Sequence, residues 1–77
     1  NRTEAPEMKG PRDMIFLKDG EIMVLSSADN QRLLFFNRSS DHSFLYQYSN
    51  YINTSFSTPH GLWRVNDSFF YVATWNT

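Results

Sequence analysis

The sequence predicts an all-β fold: one four-stranded antiparallel sheet, then the first two strands of a second. Three observations lead there. Short apolar runs recur between clusters of turn residues. No window sustains a 3.6-residue apolar period, and no run is long enough for a typical helix. Residues 59–75 repeat the layout of residues 11–27 at a fixed offset of 48.

Residues 1–10, polar with a proline and a glycine, read as a flexible lead-in. The first run is Met14 to Leu17 and the second Ile22 to Leu25. Between them stands Lys18-Asp19-Gly20-Glu21, and Asp-Gly is a strong hairpin signal. The third run, Leu33 to Phe36, follows Ser26–Gln31, whose Asp29-Asn30 reads as a turn element. The fourth, Phe44 to Tyr48, follows the polar stretch 37–42. Residues 49–60 read as a long loop before the second sheet.

The first three runs are apolar at successive positions, not at alternate ones. Strands of that kind need cover on both faces. The fourth run mixes Gln47 with two tyrosines and reads as the wettest strand. A β-propeller blade has this character: four antiparallel strands with neighbouring blades on either side. The offset match completes the case. Pro11 falls on Pro59, Asp19 on Asp67 and Val24 on Val72, with turn on turn and strand on strand. The expectation is a first blade over 11–58 and a partial second over 59–77.

The run Pro11, Asp19-Gly20, Ile22–Leu25, Asp29-Asn30 and Arg32-Leu33 resembles an NHL repeat. The resemblance covers 11–77, about one and a half repeats. It weakens where Asn66-Asp67-Ser68 replaces Lys-Asp-Gly. It implies a propeller of about six blades, of which this chain is a piece. It also implies that the first strand of each blade lines a central channel. Arg12, Asp13 and His60 would then approach the channel mouth, with Trp75 at a strand end on the same face. Trp63 is expected to pack between blades.

Composition narrows the function classes. The chain has 77 residues, seven basic and eight acidic, for a net charge of −1. That balance offers no field for nucleic acid, and no basic stripe supports RNA binding. No apolar run reaches the ~18 residues of a membrane span. There is no cysteine, hence no disulfide and no thiolate metal ligand. The two histidines, His42 and His60, make a dedicated metal cage unexpected. No Gly-x-Ser-x-Gly elbow and no phosphate-cradling glycine loop occurs.

His60 is the sharpest candidate for chemistry. Pro59-His60-Gly61-Leu62 resembles a loop of paraoxonase-like six-bladed hydrolases, whose histidine at the channel mouth takes part in lactone or ester hydrolysis. The resemblance implies a general base. Calcium ligands from other blades would belong to the intact parent alone. The bland alternative is that Pro59 stiffens the loop, Gly61 allows a tight entry and His60 bonds the backbone. Asp13 has a bland reading too, as a turn cap, with Arg12 paired locally. His42, in a polar loop, reads as solvated.

Four N-glycosylation sequons begin at Asn1, Asn37, Asn53 and Asn66. Composition alone would give about 1.3. The excess points to a secreted or cell-surface protein. The expectation is a non-catalytic binding or scaffold module, offering its loop face to a protein or small ligand and its sheet faces to neighbouring blades. The alternative is a fragment of a propeller hydrolase or lyase with His60 at work.

Overall fold

The structure is a computed structural model that describes residues 8–41, 45–54 and 58–75. Among them there is no helix. The chain forms β1 (Pro11–Leu17), β2 (Ile22–Ser27), β3 (Arg32–Arg38), β4 (Tyr46–Asn53), β5 (Thr58–Arg64) and β6 (Phe70–Trp75). β1 to β4 make a four-stranded antiparallel sheet in sequential order, and β5 and β6 pair as a second antiparallel sheet. The all-β expectation and the strand order hold.

The turns follow from local chemistry. Lys18, Asp19 and Gly20 take left-handed backbone angles of 53°, 57° and 88°. Gly20 N–H donates to Leu17 O, and Glu21 N–H to Lys18 O. Left-handed turns of this kind match the twist of the strands they join. Tyr46 Oη donates to Gly20 O and ties the turn to β4. The next turn closes with Gln31 at 56° and its N–H on Ala28 O. Asp29-Asn30 is thus a turn element. Lys9 and Gly10, just ahead of β1, are tied to this turn, accepting at their carbonyls from Asp29 and Ala28.

Two strand limits differ from the sequence reading. Residues 49–53 are strand, not loop. Their polar run carries no apolar signal, yet their backbone pairs with β3 through an irregularity at Phe35 and Phe36, where Ser49 is the extra residue. β5 opens at Thr58, ahead of Pro59. A proline is accepted there because β5 is an edge strand, with no second partner for the missing N–H.

The register sorts side chains into faces. On the side of the four-stranded sheet that meets β5 and β6 lie the rows Ile15–Val24–Phe35 and Leu17–Ile22, with Leu33 beside them. Leu17, Val24, Leu33 and Leu62 form the buried cluster, with Ile15, Ile22, Phe35, Phe70 and Val72 packed on it. The rows Met14–Leu25–Leu34–Tyr51 and Phe16–Met23–Phe36–Tyr48 occupy the other side. Leu34 is fully buried by its neighbours, while Met14 and Phe16 are 46% and 41% exposed. Among the described residues a second sheet lies on one face alone, and the other face is buried at Leu34 and Phe36 but open at Met14 and Phe16. β4 is exposed over most of its length, as expected of the wettest strand.

The internal repeat survives with one change. β1 and β5 carry the same bulge: Arg12 is the extra residue between Pro11 and Asp13, and His60 between Pro59 and Gly61. The offset between these strands is 48. β6 is displaced by one residue, because Trp63 pairs with Tyr71 where a gapless match would pair it with Val72. The second hairpin is a residue shorter: Val65 N–H donates to Phe69 O across the turn at Asn66, Asp67 and Ser68. Val24 thus corresponds to Tyr71, not Val72.

Candidate functional site

The end of the molecule opposite the Asp-Gly turn gathers most residues singled out in the sequence. Arg12 is exposed at the bulge of β1. His60 holds the equivalent bulge in β5, half-buried, with its ring 4.4 Å from that of Trp75 and tilted by 38°. Trp75 ends β6 and is 57% exposed. Gln31 Nε2 donates to Thr58 Oγ1 at 3.5 Å, and Thr54 N–H to Gln31 O at 2.7 Å, which draws the β2–β3 turn toward the entry of β5.

Asp13 is engaged in structure. Its Oδ1 accepts from Met14 N–H at 2.8 Å and its Oδ2 from Leu62 N–H at 2.9 Å. The second bond joins one sheet to the other. The buried Ser26 hydroxyl accepts from Asp13 N–H at 3.0 Å. Both carboxyl oxygens are thus taken up by backbone amides.

His60 has a ring partner in Trp75 but no hydrogen-bond partner among the described residues. Among those residues no group of three or more His, Cys, Asp or Glu side chains gathers as a metal cage would need. No helix of the structure is long and apolar enough to cross a membrane. What this end can do chemically is stack, donate and attract: a partly buried imidazole on an indole, with a guanidinium at the matching bulge.

The sequons fall in different settings. Asn37 and Asn53 are exposed, at the far ends of β3 and β4. Asn66 Oδ1 accepts from Ser68 N–H at 2.7 Å and Phe69 N–H at 3.1 Å, closing the second hairpin. Asn1 and His42 lie outside the described residues.

One surface was missed in the sequence. On the side of β5–β6 turned away from the larger sheet, Trp63 is 72% exposed, Tyr71 70% and Phe69 67%. Trp63 does not pack between two sheets, because its side of β5 meets none. A shallow hollow of about 280 Å³ lies here, lined by Gly61, Leu62, Trp63, Tyr71, Val72 and Ala73. Gly61 makes its floor; a Cβ there would stand 3.3 Å from the Ala73 Cβ. The signal that would have revealed the face is the cross-strand pair Trp63–Tyr71, which a gapless repeat alignment conceals.

At the Asn66 turn, Arg64 Nη2 donates to Asp67 Oδ1 at 2.6 Å. Lys18 N–H donates to the same oxygen at 3.1 Å, a second bond between the sheets. The Arg64 hydrogen bond holds the Asp67 carboxyl below the usual carboxylate range, against a smaller opposing effect of burial and with help from the Lys18 amide. Compared with family models, curated proteins and solved structures, this chain matches none.

Proposed function

We propose that the chain is a segment of an NHL-type β-propeller and serves as a non-catalytic binding or scaffold module of a secreted or cell-surface protein. The observation that carries the reading is the recurrence of one bulged hairpin. β1–β2 and β5–β6 share the bulge and the facing of their side chains, and the second stacks on the first. A polypeptide that stacks equivalent sheets face to face is extending a repeat architecture.

The loop end supports binding in preference to catalysis. Asp13 is held by two amides, and the His60 ring lies beside that of Trp75 with no carboxylate among the described residues bonded to it. A histidine acting as a base needs a partner that fixes its tautomer and orientation. Arg12, His60 and Trp75 instead offer cationic and aromatic contact groups of the kind enriched at recognition surfaces. The exposed Asn37 and Asn53 sequons support passage through the secretory pathway.

The test has two arms. Expressed behind a secretion leader in eukaryotic cells, the protein should lose mass on glycosidase treatment, and the loss should shrink in Asn37→Gln and Asn53→Gln variants. Assayed with lactone and aryl-ester substrates, the protein should show no turnover that depends on His60. Hydrolysis abolished by His60→Ala, with the fold retained, would overturn the non-catalytic reading.

A further inference from the structure

We infer that an N-glycan on Asn53 guards the free edge of β4, and that without it this edge pairs, antiparallel, with the same edge of a second copy. The inference rests on the secretory reading above. It starts from how the sheet edges are blunted. An edge strand presents a row of unpaired N–H and C=O groups, and proteins charge it, bulge it, cover it or place proline on it. β1, one edge of the larger sheet, has Pro11, Arg12, Asp13 and a bulge. β5 in the smaller sheet has Pro59, Arg64 and the same bulge. β4, the other edge of the larger sheet, reads Tyr-Gln-Tyr-Ser-Asn-Tyr-Ile-Asn. Its eight residues include no charge and no proline. The irregularity at Ser49 is the one such device within the strand.

The composition favours pairing. Neutral runs of Tyr, Asn, Gln and Ile are the pattern of segments that stack strand on strand. The irregularity divides β4. Beyond it, Asn50 to Asn53 pair regularly with Phe35 to Arg32, and all four are exposed. A two-fold axis between Tyr51 and Ile52 sets each against the other across two copies, and Asn50 against Asn53. Such a contact is isologous and closes at the dimer. Arg32 reaches the Tyr51 ring from β3, 4.3 Å from its centroid. As a side chain it stands on a face of the sheet and leaves the edge uncharged.

The sequon Asn53-Thr54-Ser55 falls at the end of that regular stretch. A glycan there is bulky and solubilising, and it stands where a fifth strand would come. It does for β4 what proline and charge do for β1 and β5. The other described sequons are placed differently. Asn37 lies on β3, a strand paired on both sides. Asn66 turns the second hairpin, its Oδ1 held by two amides. The edge is also distinct from the apolar faces. Blades pack face to face around an axis, so further blades before or after these residues leave the edge of the outermost strand turned outward. The guard serves one blade and a whole propeller alike.

The test expresses the chain behind a secretion leader in eukaryotic cells and reads occupancy at Asn53 by mass spectrometry of glycopeptides. Ser55→Ala removes the sequon and leaves the β4 sequence unchanged. Sedimentation velocity from micromolar to millimolar concentration should show Ser55→Ala dimerising about tenfold or more tightly than the glycosylated chain, a gain equal to one or two backbone hydrogen bonds. The amides of Asn50 to Asn53 should exchange more slowly in the dimer. Asn50→Lys added to Ser55→Ala should undo the dimer, and Asn37→Gln should leave association unchanged. Contacts through the sheet faces are common to all these chains, so the differences between them read the edge. Protection of the Leu62 amide verifies the fold in each; Asn53→Gln serves if Ser55→Ala loses it. Equal association with and without the Asn53 glycan overturns the guard and leaves the secretory reading standing. Tighter association that Asn50→Lys does not reverse overturns pairing through β4. A chain glycosylated at Asn37 but bare at Asn53 overturns the guard alone, and a chain bare at every sequon overturns the secretory reading with it.

Discussion

The Asp13 carboxylate accepts hydrogen bonds from two backbone amides, that of its neighbour Met14 and that of Leu62 in the other sheet. A charged acceptor facing a partly buried amide contributes about 1.5–3 kcal/mol, and its loss leaves a donor unsatisfied. Asp13→Ala should therefore destabilise the chain by about that amount in urea unfolding, with the Leu62 amide newly open to exchange. Arg12→Ala, one residue away and exposed, should change stability by less than about 0.5 kcal/mol. An equal effect of the two would contradict the cross-sheet role. Gly10 makes a second case at this scale. Its φ of 59° is left-handed, and an added Cβ would sit 2.5 Å from the Asp29 carboxyl carbon. Gly10→Ala should cost about 1–2 kcal/mol from backbone conformation alone. Asp29→Gly, which removes the clashing carboxyl, should relieve part of the added cost but not the strain. Full recovery in the double variant would show that the steric contact, not φ, decides.

At the scale of elements, much was legible and some was hidden for identifiable reasons. The hairpin at Lys18–Glu21 and the turn at Asp29-Asn30 announce themselves, since Gly, Asp and Asn hold left-handed or self-bonded backbone cheaply. The strands that bury apolar side chains show in the runs at Met14, Ile22 and Leu33. The start of β4 shows in the run that ends at Tyr48, but its second half does not, because Ser49 to Asn53 pairs through the backbone and is exposed. The repeat was legible from spacing, but the one-residue shorter second hairpin was not, and with it went the facing of Trp63. Among the candidate residues, sequence order placed Arg12, His60 and Trp75 at one end; it could not show that Asp13 is spent on Leu62. The second hairpin also carries a pH dependence. Asp67 is held below its ordinary pKa by Arg64 and by the Lys18 amide. A depressed carboxylate adds stability that is present above the unfolded value, about 3.9, and is lost as pH falls through the lower folded value. Asp67→Asn should be less stable than the native chain at neutral pH, and the gap should close on acidification. A gap that persists at acid pH would mean that Asp67 acts by geometry and not by charge.

At the scale of the molecule, the two sheets are unequal partners. The larger has three strands of apolar side chains, and on its outer side Leu34 and Phe36 are buried too. The smaller has two strands, and a lone two-stranded ribbon is marginal in water. It is held by the seating of Leu62, Phe70 and Val72 on the common cluster and by the Asp13 and Asp67 bonds. β5 carries that contact; it meets both β1 and β2. The molecule should then open in two steps, with β5–β6 leaving first. Leu62→Ala removes the one side chain of the smaller sheet that is fully part of the buried cluster, at a cost of about 2–4 kcal/mol. Because the larger sheet keeps its own pairing, that loss should fall on one unit. Hydrogen exchange of the variant should show β5–β6 amides near unprotected rates while β2 and β3 amides stay slow. Val24→Ala should act differently, since Val24 sits in the central pairing of the larger sheet beneath β5. Its effect should appear in β1–β3 and β5–β6 together. Uniform loss of protection in Leu62→Ala would mean that the sheets fold as one unit, and that β1–β4 needs the second hairpin to hold its own strands.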